Sequence, residues 1–333
     1  DHASAFLAGS EREAQPASAA MRSGVDPENL NRMGIRRSYR HQSAAPFSVA
    51  YQYRSSVRHD RNESAACGVQ IRSDAILPNM SQANKGQRVT LITGDSRGIG
   101  AAIAKRLAAE GHQLIITYQN NAAAAERVAD EARAAGSDAL CVQADMANES
   151  DIDALFALAQ ERYGQITGLV NNAGITGFPG KLVDQDPATI RRVFDVNCTA
   201  VMLCCRHAAR QMATSLGGTG GCIVNITSGA ATIGSPGEYV HYAASKAAID
   251  AVTLGLSKEL GPDGIRVNAV APGVILTDLH AAGGQPDKAE RVGRATPLGR
   301  PGEPEEIANA VAWLMSDEAS YVTGAILRVA GGR

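Results

Sequence analysis

From residue 88 onward, short apolar runs of four to seven residues alternate with stretches whose apolar positions recur every three or four residues. The runs at 88–93, 113–118, 139–144, 168–171, 222–226, 265–271 and 325–329 read as strands. Helical spacing occupies 98–110, 122–135, 151–163, a long stretch after Pro187, 239–260 and 305–316. Asp186 is a natural N-cap for the long stretch, and Pro187 suits a first helical position that needs no backbone donor. Strands alternating with helices imply parallel pairing through right-handed crossovers. The pattern therefore predicts an α/β fold: one doubly wound domain over 87–333, a seven-stranded parallel sheet with helices on both faces. Residues 273–301 break the alternation, being long, rich in glycine and proline, and placed after a strand's carboxyl end. A mobile lid over a ligand is expected there.

Residues 1–86 show neither period. Arginine, serine, alanine and asparagine are scattered through them, with too little apolar surface to offset ordering entropy, so a disordered extension is expected. Its acids (Glu11, Glu13, Asp26, Glu28, Asp60, Glu63) argue against an organellar transit peptide and against a nucleic-acid arm. Met80, eight residues before the first strand, is a candidate natural start.

The whole chain of 333 residues is 44% hydrophobic and 20% charged, with a formal net charge of -2. Nothing in that balance points to nucleic acid, and no segment approaches the roughly 18 apolar residues of a membrane span. The six cysteines, with no Cys-x-x-Cys pair, fit reduced thiols in a cytoplasmic protein; the seven histidines show no metal-ligand spacing.

Between the first strand and first helix lies Thr93-Gly94-Asp95-Ser96-Arg97-Gly98-Ile99-Gly100. Glycines there let backbone amides approach a pyrophosphate at a helix's positive end. No Gly-Lys-Ser/Thr follows, which excludes a Walker phosphate loop. At the end of the second strand stand Tyr118, Gln119, Asn120 and Asn121, where an NAD site usually carries a carboxylate. A 2′-phosphate is tolerated, and Arg97 adds positive charge, so NADP(H) is favoured and NAD(H) remains possible; Asp95 works against the phosphate.

Far downstream, Tyr242 and Lys246 are four apart on a helix and hence neighbours. A tyrosine of pKa about 10 exchanges protons at neutral pH only if its phenolate is stabilised, as an adjacent ammonium could do. Tyr239 is a decoy, since its partner four residues on is Ala243. Ser228 follows the fifth strand, Asn171-Asn172-Ala173-Gly174 ends the fourth, and Pro272-Gly273 ends the sixth.

With these five motifs in order, the chain from about Arg88 to Gly332 resembles the short-chain dehydrogenase/reductase family, near its 3-oxoacyl-carrier-protein reductases and sugar dehydrogenases. The resemblance implies a Rossmann-type fold and hydride transfer between a nicotinamide and a carbonyl or secondary alcohol. It makes Tyr242 the acid/base, with Lys246 lowering its pKa and holding the ribose, Ser228 polarising the carbonyl, and Asn197 holding a proton-relay water. It assigns cofactor contacts to Gly94, Ser96, Arg97, Gly98, Ile99 and Gly100, to Tyr118 and Asn120, and to Asp145 and Met146. It adds Asn172, Ala173 and Gly174 beside the ribose, and Pro272, Gly273, Ile275 and Thr277 over the nicotinamide. A small-molecule substrate and a homotetramer or homodimer are implied as partners. A fold-mate that senses cofactor without turnover is the alternative.

Two departures from the family stand out. The serine-to-tyrosine gap is fourteen residues, one more than is common, and Ala330 stands where relatives often carry aspartate. Substrate contacts are expected from Ala230, Gly234, Glu238, His241, Val274 and the lid. These allow an acyl chain, a small ketone or a polyol.

Overall fold

The computed structural model describes residues 87–333, apart from Asp95 and Gly283. The expected N-terminal extension, the start at Met80 and the charge of Asp95 lie outside the described residues. Seven parallel strands run in the order β3-β2-β1-β4-β5-β6-β7. They are β1 Val89–Ile92, β2 Gln113–Tyr118, β3 Ala139–Gln143, β4 Gly168–Asn171, β5 Gly221–Ile226, β6 Ile265–Pro272 and β7 Ile326–Val329. The main helices are α1 Gly98–Ala109, α2 Ala122–Ala134, α3 Glu149–Tyr163, α4 Pro187–Phe194, α5 Ala200–Met212, α6 Ala230–Ile233, α7 Val240–Leu260, α8 Asp278–Ala282, α9 Lys288–Gly293 and α10 Pro304–Met315.

Side chains alternate across each strand, so adjacent apolar residues feed two cores. Leu91, Ile115, Leu169, Ile223 and Val267 pack with α3, α5 and α7 on one face. Ile92, Leu114, Ile116, Val170, Val224 and Val270 pack with α1, α2 and α10 on the other. Burial on both faces is what a parallel sheet requires. Strand order reverses at β1, which pairs with both β2 and β4, and a ligand crevice opens at such a reversal.

Two expected elements have more internal structure than the spacing predicts. The long helix after Pro187 runs unbroken over 187–212 but is not α throughout: five residues, Asp195–Thr199, form a π-helical turn between α4 and α5. The expected lid segment does border the cleft, and it carries two short helices, α8 and α9, with its ends joined by a parallel bridge between Ile275 and Gly302.

Candidate active site

Gly94 and Gly98 both adopt left-handed backbone, at φ 71° and 56°. A Cβ on Gly94 would stand 2.8 Å from the Ala173 Cα, so no larger residue fits. The Thr93 hydroxyl accepts from the amides of Asn172 and Ala173, each at 3.1 Å. In return the Asn172 side-chain amide donates to the carbonyls of Thr93 (2.9 Å) and Gly94 (2.7 Å). The Gly94 amide donates to Thr117 Oγ1 at 3.0 Å. Through these bonds the glycine turn is stitched to the ends of β2 and β4. Helix α1 starts with no side-chain cap and no acid in its first turn, so its positive end is open to an anion.

Beyond β2, Tyr118 and Asn120 line the cleft, while the Asn121 side chain caps α2 by accepting from the Ala124 amide. Asp145 follows β3. Burial acts to raise its pKa, but the Ala147 amide and the Arg192 guanidinium bond its carboxylate and hold it below the usual range.

On α7, Tyr242 and Lys246 face the carboxyl ends of β4 and β5. The Lys246 ammonium is only 4% exposed, donates to the Ile226 carbonyl at 2.8 Å and lies 5.8 Å from the centre of the Tyr242 ring. The Ser228 hydroxyl stands beside the Tyr242 phenol and acts to lower its pKa. A Cβ on Gly174 would come within 3.2 Å of Lys246 Nζ and 3.4 Å of Asn197 Oδ1, which explains the glycine. The electrostatics differ from the simple expectation. Burial pushes the Tyr242 pKa up, against an opposing influence from Ser228. Lys246 is itself lowered to about 8 by burial, against the pull of Cys198 and Asp250.

These residues surround one cleft of about 540 Å³. Every expected cofactor contact lines it, as do Ser228, Tyr242 and Lys246. Asn197 does not. It is fully buried in the π turn, where its amide group bonds both backbone groups of Ile175 at 2.9 Å and the Ser245 hydroxyl at 3.0 Å. Of the expected substrate contacts, Ala230 and Val274 line the cleft, whereas Gly234, Glu238 and His241 do not. His241 is buried against the Thr176 carbonyl, and Glu238 is bonded to Lys288, which lines the cleft in its place.

Both family departures have local consequences. Ser235 takes a left-handed φ of 44°, flanked by left-handed Gly234 and Gly237, which accommodates the longer loop. Ala330 packs against Gly273, where a Cβ would lie 2.7 Å from the Ala330 Cα. Arg192, Lys288 and Arg328 were not singled out by the sequence, because they reach the cleft from distant elements.

Charge is unevenly distributed. Residues 87–333 hold 21 lysines and arginines against 26 aspartates and glutamates. Among the described residues, the cleft is lined by six cations (Arg97, Arg192, Lys246, Lys288, Arg328, Arg333) and two carboxylates (Asp145, Asp278).

The fold and this arrangement are those of a nucleotide-binding α/β oxidoreductase. Residues 94–333 match the family described as enoyl-(acyl carrier protein) reductase. An uncharacterized oxidoreductase of Escherichia coli, YgfF, is 46% identical over 245 residues, 74% of this chain and 99% of the relative. A short-chain dehydrogenase from Burkholderia cenocepacia, solved with NADP, superposes with a TM-score of 0.68 at 36% identity, covering 75% of this chain and 99% of that one. A 3-ketoacyl-(acyl-carrier-protein) reductase from Brucella melitensis, solved with NADH, gives a TM-score of 0.68 at 36% identity, covering 74% and 98%. The chain belongs to the short-chain dehydrogenase/reductase family.

Proposed function

We propose that the protein is a nicotinamide-dependent oxidoreductase that interconverts a carbonyl compound and its secondary alcohol, with NADP(H) preferred. The observation that carries this reading is the convergence of Tyr242, Ser228 and Lys246 on the cleft into which the glycine turn opens. A dinucleotide fits the residues present. Gly94, Gly98 and Gly174 leave space that side chains would fill, the α1 terminus is uncapped, and the lining is strongly cationic. Preference for the 2′-phosphate is supported by the uncharged end of β2 and by Arg97 beside it.

When bound, the nicotinamide supplies or accepts the hydride. In reduction, Tyr242 is the acid that protonates the carbonyl oxygen, and its burial keeps the phenol protonated at neutral pH. Ser228 donates to the same oxygen. Lys246, charged below about pH 8, stabilises the phenolate left behind. Oxidation needs Tyr242 as a base. Bringing a phenol from about 10 to about 7 takes ~4 kcal/mol, which the ammonium and the positive ring of an oxidised nicotinamide must supply against burial. Asn197 acts from behind by fixing the Ile175 backbone and Ser245. Pairing of two or four copies through α5 and α7 is supported by Met202 and Leu254, exposed to 46% and 44%.

The test is cofactor oxidation with a panel of ketones, acyl thioesters and sugars, comparing NADPH with NADH. Turnover with higher kcat/KM for NADPH is expected, and Tyr242→Phe should cost about 10²–10⁴-fold while still binding NADPH. Cofactor binding without turnover of any carbonyl compound would instead mark a sensor. Higher kcat/KM with NADH would refute the cofactor preference alone.

A further inference from the structure

Lys288, at the start of α9, turns from the lid into the cleft and is only 11% exposed. Its ammonium lies 2.7 Å from Glu238 Oε2 and 4.5 Å from the centre of the Tyr239 ring. That ring meets Tyr242 edge-on, at 6.4 Å between centres and 72° between planes. One aromatic ring therefore separates a sheltered cation from the proposed acid/base. The same cleft is also lined by the apolar Ile233, Val274, Leu279 and Val292, of which Leu279 and Val292 come from the lid helices α8 and α9. The two halves of the ion pair are not equivalent. Glu238 is 39% exposed and does not line the cleft, so it can turn to solvent; Lys288 cannot.

Other charges nearby are less available. Arg328 donates to the Gly229 carbonyl at 3.1 Å and to the Thr232 hydroxyl. Asp278, also in the lining, repels an anion, and Arg333 is exposed. A sheltered ammonium among apolar walls, with its carboxylate partner at the solvent side, is matched to an amphipathic anion.

We propose that Lys288 is a specificity-determining residue that recognises a carboxylate on the substrate, and that Glu238 holds its place until an oxo acid arrives. The assignment rests on the oxidoreductase reading above. The substrate's apolar stem lies along Ile233, Leu279 and Val292, with the carbonyl at Tyr242 and Ser228. Lys288 and Glu238 take no part in proton or hydride transfer.

The experiment measures kcat/KM for straight-chain oxo acids of increasing length and for their methyl esters, with saturating NADPH. At the best length, the acid should exceed its ester by more than tenfold. Lys288→Met should bring that ratio close to one, Lys288→Arg should keep it, and Glu238→Gln should raise it by removing the internal competitor. An ester as good as its acid in the unaltered protein, or a Lys288→Met variant that retains the ratio, overturns the assignment while leaving the oxidoreductase intact. Absence of turnover with every acid, every ester and the wider carbonyl panel overturns the oxidoreductase reading, and this one with it.

Discussion

Tyr242 and Lys246 stand one helical turn apart, and burial moves their proton affinities in opposite directions, the phenol up and the ammonium down to about 8. For reduction both must be protonated. The phenol holds its proton well above neutrality, so the first group lost on raising the pH is the ammonium. The kcat/KM for carbonyl reduction should therefore be level below about pH 8 and fall above it; a rate that climbs through pH 8 contradicts this role for Lys246. These two residues were legible in the sequence because a four-residue spacing on a helix fixes adjacency. Lys288 was not, because its partner Glu238 is fifty positions away and only the folded lid joins them. The direction of the Tyr242 shift was also hidden, since a spacing says nothing about how much water a phenol loses.

Elements were read with uneven success. Strands β2 and β4 have the expected bounds, and the others differ by a residue or two at their ends, where pairing with the neighbour decides the last residue. The π turn at Asp195–Thr199 left no trace, since one wider turn does not disturb an apolar repeat enough to register. Its effect is local and strong: it turns Asn197 inward to satisfy the amide and the carbonyl of Ile175 beside the cleft. Asn197→Ala would leave both part-buried groups without this partner. At ~1–3 kcal/mol for each unpaired group, a loss of about 2–6 kcal/mol is expected in denaturant unfolding. Unfolding unchanged within ~0.5 kcal/mol would remove the structural part of this residue's assignment. The lid helices α8 and α9 were missed because five or six residues are too few to show a period.

At the level of the whole molecule, alternation of strand and helix was enough to specify a parallel doubly wound sheet, because handedness leaves few ways to connect it. What alternation could not supply was how charge is sorted. Residues 87–333 are net acidic, yet six cations and two carboxylates line the cleft among the described residues. The domain is thus electrically lopsided, with a cationic mouth in an acidic body. A polyanion approaching this net-acidic domain is drawn preferentially to the cationic mouth, so its diffusional search is narrowed before any contact forms. Coenzyme capture should accordingly be fast at low ionic strength and slow steeply with added salt, which stopped-flow association rates would measure. On that account, lid, glycine turn and sheet edge share a task beyond chemistry: together they gather positive charge at the mouth of the cleft.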